Sequence, residues 1–414
     1  MKKTDRIARK EALERQVRRL SKRLLRMRKI STQFSWYRLI IFFSGLIITA
    51  VVVYQFRESF GWISAGLVLI IFNIVAYHHR RIDRSLKMHE IFLHLKETQL
   101  ARMNLDWEKI PHSRITNPDE THPFANDLDI VGDRSLHQLI DISISQDGSQ
   151  RLADWLMQTE PDFNKIAQRQ KIVQEMTPLC CFRNKLLLHF NLVSRERFDG
   201  KKLLKWLNAP LPATALKRLL PFSFIIVLLT IILFILHLFH IIPPYYLISL
   251  SAYIVFYFMN QKMLNQFVDV FFRMDDELRN FRAILKYLEK YPYRDNKYLK
   301  QMCASFQAGK NSPSQQLKKI KLVTAAIGLR MNALMAILLN VIFPWDFYFS
   351  FLVLRFRDKT IKQLNQWLDV WADLEALISL ANFAYLNPSY SCPFIMTRSK
   401  KKTTSFFDAK QMGH

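Results

Sequence analysis

HPFANDLDIVGDRSLHQLIDISISQDGSQRLADWL, His122 to Leu156, decides how the whole chain is read. It opens as a polar, turn-rich stretch and then places Leu152, Trp155 and Leu156 at helical spacing, one apolar patch on an otherwise polar helix. On either side lie runs greasy enough for a lipid bilayer. A soluble-looking helical start between two such runs implies a water-facing helical unit built by a chain that enters the membrane before and after it.

The composition agrees with that mixed character. Half of the 414 residues are hydrophobic and 23% are charged, which excludes a disordered chain. Sixty Lys and Arg against 34 Asp and Glu give a formal net charge of +26, and so imply an anionic partner, either nucleic acid or the cytoplasmic leaflet. Cys180, Cys181, Cys303 and Cys392 show no CxxC spacing and read as reduced thiols of a cytosolic portion, with no metal site expected. The start of the chain is basic for some thirty residues, too long and too polar for a signal peptide.

Working outward, residues 1–35 form a basic arm in which Leu13, Val17, Leu20, Leu24 and Met27 make one apolar helical seam. The first expectation for it is a solvated helix preceding a span; a membrane-surface helix and a short coiled coil are the alternatives. Residues 36–80 read as a first transmembrane hairpin, Leu39 to Tyr54 and Gly61 to Tyr77, with Trp36, Tyr37, Trp62 and Tyr77 suited to the interface. A linker, 81–121, leads to the segment quoted above, which continues to 218. A second hairpin occupies 219–260, Leu219 to Phe239 and Tyr245 to Met259, turning at Pro243 and Pro244. Arg80, Arg81, Arg84 and Lys87 beyond the first hairpin, and Lys217, Arg218 and Lys262 around the second, put both termini and the core in the cytoplasm, against the inner membrane.

Residues 261–393 continue as helices. Met331 to Leu354 holds Asn340, Pro344 and Asp346 between Arg330 and Arg355, and reads as a buried or interfacial helix kinked at Pro344 rather than a fifth span. Ser312, Pro313 and Gln315 form a capping box, and Ile361, Leu364, Leu368, Trp371, Leu374 and Ile378 a long amphipathic stripe. DLDIV and LIDISIS are the two strand candidates. Residues 394–414 are a basic tail.

Enzyme chemistry finds no constellation to rest on. AGKNS, Ala308 to Ser312, lacks the upstream glycine of a phosphate loop, and there is no GxGxxG, HExxH or GxSxG among nine glycines. The carboxylates of DDE, Asp275 to Glu277, read as a solvated helix face and those of NDLDIVGD as a capping turn. Transport is disfavoured because no ionisable group lies deep in the hairpins. Asn73 needs only a helix-to-helix hydrogen bond, and His237 and His240 sit at an interfacial turn.

The segment His122 to Met176 resembles the start of the core domain of MutS-family mismatch-repair ATPases. The likeness rests on an Asp/Gly-rich turn with Asp127 and Asp129, followed in order by Ser135, Leu136, Leu139, Gly148, Leu152, Trp155, Leu156, Pro161, Ile166, Arg169, Gln170 and Val173. Leu374 to Pro393 is similar to that family's last core helix before its nucleotide-binding domain, and Phe407 to His414 to the approach to that domain. With the hairpins, the chain resembles a membrane-bound MutS-like branch. The resemblance implies a mainly α fold, two transmembrane hairpins plus a cytosolic MutS-type lever core, in which the matched residues are scaffold rather than catalytic. DNA, a second copy of the chain or a separate ATPase polypeptide are the partners it implies besides the membrane. The mismatch-reading domain with its Phe-x-Glu wedge has no counterpart here, and the Walker motifs do not occur within the 414 residues. No cofactor is therefore expected in this chain; ATP and Mg²⁺ belong to complete relatives.

Overall fold

The structure, a computed structural model, describes residues 2–56, 58–113, 115, 122–193, 199–307 and 312–393. Among these the regular structure is entirely helical, with no strand. Helix α1, Lys2–Gln55, is a single 54-residue helix, and α2, Glu58–Asn104, has 47 residues. Nothing interrupts α1: it contains no proline, no glycine before Gly45, and many straight-chain Arg, Lys and Leu side chains that lose little freedom in a helix. At 1.5 Å per residue it is about 80 Å long.

The two helices pair antiparallel along that length. Gly45 lies so close to Val68 that a Cβ would overlap its side chain. Further along, Ser31 donates to Asp83 at 2.7 Å, Arg28 meets Glu90 at 2.8 Å, and Arg6 reaches the Met103 carbonyl at 3.0 Å. These pairs keep one register from end to end. The seam read on residues 13–27 therefore packs within an antiparallel helix pair, and its partner is the other arm of the same hairpin. Leu13 and Leu24 are buried, with Leu13 packed on Met103 and Leu386.

The helices that follow are short: α3, Leu136–Ile140; α4, Gln146–Leu156; α5, Phe163–Met176; α6, Cys180–Val193; and α7, Gly200–Leu207. Then α8, Ala213–Leu238, turns back into α9, Tyr246–Lys290. Phe222 stacks edge-on to Phe256, Thr230 bonds Ser249 at 2.7 Å, and Phe234 meets Tyr246, an antiparallel hairpin. After α10, Lys297–Met302, and α11, Pro313–Gly328, comes α12, Ala333–Ile342, and finally α13, Trp345–Leu386. Pro344 stands at the junction of the last two, which are bent by 84°. This is the kink read from the sequence.

The main core lies where α9 and α13 face each other, with α5 and α6 laid across them. Phe281, Leu285 and Leu288 meet Trp371, Leu374 and Ile378, with Phe182, Leu186 and Met176 completing it. By contrast, α1, α2 and α8 are long and apolar enough to cross a membrane, and large side chains such as Phe43, Ile47, Trp62, Ile63, Ile225 and Leu228 stand exposed on them. Soluble monomers rarely expose a contiguous apolar patch beyond about 300–600 Å². The return arm in α9, Tyr245 to Met259, pairs with α8 but carries four tyrosines and two serines, and is less apolar than those three. The bent pair α12–α13 reaches comparable length and apolarity only if counted as one span.

Four local expectations change. LIDISIS is not a strand: it ends α3 and then runs extended for a few residues into the cap of α4. DLDIV is a turn, closed by backbone bonds from Ile130 to Ala125 and from His137 to Ile130. Asn73 donates to Leu69 of its own helix at 2.9 Å, so it satisfies itself rather than bridging helices. At α11, Ser312 is the N-cap and Pro313 the first residue, but the side-chain cap is Glu289 of α9, which accepts from the Ser314 amide at 2.7 Å. A carboxylate at a helix start answers both the orphan amides and the dipole, and so displaces the local Ser–Gln box. Residues 308–311, the 394–414 tail and the side chains of Asp275 and Asp276 lie outside the described residues.

Candidate functional site

Helix α4 begins with amides that have no partner inside the helix. Ser145, its N-cap, accepts from the Gly148 amide at 2.9 Å. The remaining acceptor comes from 230 residues away. Glu375 on α13 accepts from the amides of Ile144 at 2.8 Å and Ser145 at 3.0 Å, while the Ser145 hydroxyl donates to its second oxygen. Glu375 is 2% exposed. Burial pushes its carboxyl up to about 7, against the pull of these hydrogen bonds, so near neutrality it is poised between the acid and the carboxylate.

Gly148 is what lets the two helices come this close. A Cβ there would overlap the Glu375 carboxylate and lie 2.7 Å from its Cβ. One turn on, Leu152 is fully buried against Ile140 and Ala376, with Trp155, Leu156, Leu380 and Phe383 around it. Arg151 forks onto Asp373 at 2.8 Å and Asp369 at 3.1 Å. From α5, the Arg169 guanidinium lies 3.8 Å from the Trp155 ring centroid, and the Gln170 amide donates to the Pro393 carbonyl at 3.0 Å. Gly148, Leu152, Trp155, Leu156, Arg169 and Gln170 are thus brought to one side of the molecule, where α4 and α5 grip α13 and its continuation.

The other expected residues serve the approach to this joint. Ser135 caps α3, accepting from the Gln138 amide at 3.2 Å and donating to the Gly132 carbonyl at 2.7 Å. Leu139 offers its carbonyl to Arg102 at 2.9 Å, and Leu136 is exposed. Val173 joins the main core, whereas Pro161 is exposed. Asp127 and Asp129 lie in the turn before α3. Both are exposed, Asp129 adopts a left-handed φ of 46°, and its carbonyl, not its carboxylate, receives the Leu136 amide at 2.9 Å.

Sequence reasoning missed a buried polar line behind the joint. Lys96 of α2 donates to Gln99 at 2.9 Å, and Gln99 donates to Asn382 of α13 at 2.9 Å. Arg102 reaches the carbonyls of Leu139 and Asp141, while the Asp141 carboxylate receives Ser149 at 2.7 Å and the Ser143 amide at 2.8 Å. Desolvation lowers Lys96 to about 8 and Arg102 to about 10. The signal for Glu375 was present: it is a lone carboxylate in the apolar run of Leu374, Ala376, Leu377 and Ile378, where only a paired or protonated acid is tolerated. Glu375 and Arg102 are engaged by backbone amides and carbonyls, Arg151 by Asp369 and Asp373, and Lys96 by Gln99.

No family model, curated protein or solved structure matches the chain.

Proposed function

We propose that the protein is a membrane-anchored, non-catalytic lever module of MutS type, whose helical core faces the cytosol and serves a DNA-repair-related task. The observation that supports this reading is the α4–α13 joint. The two stretches that carry the resemblance, His122 to Met176 and Leu374 to Pro393, lie some 200 residues apart in sequence and pack on each other through Glu375, Gly148, Leu152 and Gln170. From Glu375 in that joint α13 runs back to the Pro344 bend at its start, where Phe343 and Tyr348 pack on Phe224 of the apolar α8. One unbroken helical stretch of about 45 Å therefore connects the joint to the apolar hairpin. In the MutS family such a lever would couple nucleotide state to DNA; here the tether would hold it at the inner leaflet.

Purified full-length chain in lipid nanodiscs, titrated with matched and mismatched duplex DNA at several salt concentrations, tests the proposal. Retention of DNA with affinity that falls steeply as salt rises is expected. Binding to anionic vesicles with no retention of either duplex would overturn it in favour of a membrane scaffold. Topology is tested in intact cells with a membrane-impermeant maleimide. The native, exposed Cys181 and Cys392 should stay unmodified until the membrane is opened, whereas His240→Cys at the α8–α9 turn should label from outside in a background lacking both. Labelling of Cys181 in sealed cells would place the core on the wrong side.

A further inference from the structure

The basic arm is usually the part of such a chain assigned to its own bilayer, and the geometry argues against that. Helix α1 is not interrupted where its character changes at Trp36; the basic portion continues the same helix and stays paired with α2. Once the apolar portion is in a bilayer, the basic portion is a stalk leaving the surface. By helical rise, Lys29 stands about 10 Å and Arg15 about 30 Å beyond Trp36. Charges more than about 8 Å from the headgroups are largely screened at physiological ionic strength. The far half of the stalk cannot be held by its own leaflet.

The charges on that stalk are ordered. Leu13, Leu20, Leu24 and Met27 turn one side of α1 to α2. On the opposite side Arg15, Arg18, Arg19, Lys22, Arg23, Arg26 and Lys29 fall within roughly 140° of arc, at 100° per residue, over about 21 Å. All seven are exposed. No Asp or Glu occurs between Glu14 and Glu58, and among the described residues the one ion pair on this face is the exposed Glu11–Arg15 contact. The nearest carboxylates are spent elsewhere: Glu90 pairs with Arg28 on the flank, and Glu11 makes an exposed 3.5 Å pair with Arg15, which is worth little. Arg6 and Arg9 are engaged at the tip, on Met103 and Tyr385.

We infer that this stripe is a docking surface for the phosphate backbone of double-stranded nucleic acid. A protein partner is disfavoured because protein interfaces centre on apolar and aromatic anchors and are depleted in lysine at their core, whereas this face presents a cation at nearly every outward position and no aromatic ring. A row of mostly arginine along one straight-running face, with no Asn, Gln or aromatic side chain among its members, fits fork-like contacts to successive phosphates. The inference deepens the proposed function, resting on it for the class of partner, but it needs no kinship of the core.

The test uses the full chain in neutral-lipid nanodiscs and a variant carrying Arg15→Gln, Arg19→Gln, Lys22→Gln and Arg26→Gln, which keeps the seam and uses a good helix former. Unchanged helicity and melting show that it folds. A random-sequence duplex is titrated at several salt concentrations. The stripe variant should bind at least tenfold more weakly near 0.15 M salt, with a log–log salt slope shallower by about 3 to 4. A control with Lys201→Gln, Lys205→Gln, Lys297→Gln and Lys300→Gln, four exposed core lysines, should keep the native slope. If the stripe variant binds as the native chain does, the stalk assignment falls while the proposed function stands. If the native chain binds no duplex at any salt, both fall. If the stripe is needed only for capture of separate anionic vesicles, the nucleic-acid assignment is overturned.

Discussion

Gly148→Ala will loosen the grip of α4 on α13 and destabilise the core by about 2–4 kcal/mol, a large loss for one methyl group. The new carbon collides not only with the tip of Glu375 but with its Cβ, 2.7 Å away, which cannot swing aside without moving α13. Displacing Glu375 in turn strips the acceptor from the Ile144 and Ser145 amides, and a buried unsatisfied amide costs about 1–3 kcal/mol by itself. The contrast is Gly328→Ala at the end of α11, where nothing lies within 4 Å of the added carbon; it should be neutral or slightly stabilising, since alanine favours helix over glycine by up to about 1 kcal/mol. Denaturant unfolding followed by tryptophan fluorescence, with Trp155 and Trp371 at or near the joint, separates the two. Equal midpoints for Gly148→Ala and the native chain would mean that the close contact carries no weight.

How much of this was legible before any coordinates follows from what kind of interaction fixes each feature. The greasy runs were legible because hydrophobicity is a property of single residues. The kink at Pro344 was legible because proline acts on its own backbone. The unbroken passage of α1 through Trp36 was not: composition changes abruptly there, and composition says nothing of whether the helix axis bends. Gly148, Trp155 and Arg169 could be singled out by pattern, but their partners Glu375, Ala376 and Leu380 lie over 200 positions away, and a single sequence holds no record of that pairing. The same limit hid Glu289 as the cap of α11 and Asn382 as the end of the Lys96–Gln99 line. LIDISIS misled because an extended run ending in a helix cap alternates just as a strand does.

Glu375 makes the joint sensitive to pH, and the direction follows from its burial. Burial holds its carboxyl at about 7 in the folded chain against an ordinary glutamate value of 4.5, so between those values the folded protein holds a proton that the unfolded chain has released. The contribution of this group is therefore fully present below about pH 4.5 and is lost as pH rises through about 7, after which both states are ionised and the loss is complete. A difference of that size corresponds to about 3 kcal/mol in all. Lys96, lowered to about 8, works in a separate and higher window with the opposite sign: ionised in both states below about 8, it costs the fold least above its unfolded value near 10.5. Glu375→Gln keeps the length of the side chain, an oxygen for the Ile144 and Ser145 amides and an amide group for the Ser145 hydroxyl, but cannot ionise. Unfolding free energies measured from pH 5 to pH 8 should fall more steeply for the native chain than for this variant, with the variant the more stable of the two at pH 8. Other buried acids, Asp147 and Asp373, are also raised by desolvation, so the difference between the two chains, not the native slope alone, isolates Glu375. Parallel curves would show that the carboxyl is solvated after all, and that α13 does not clamp α4 through a buried acid.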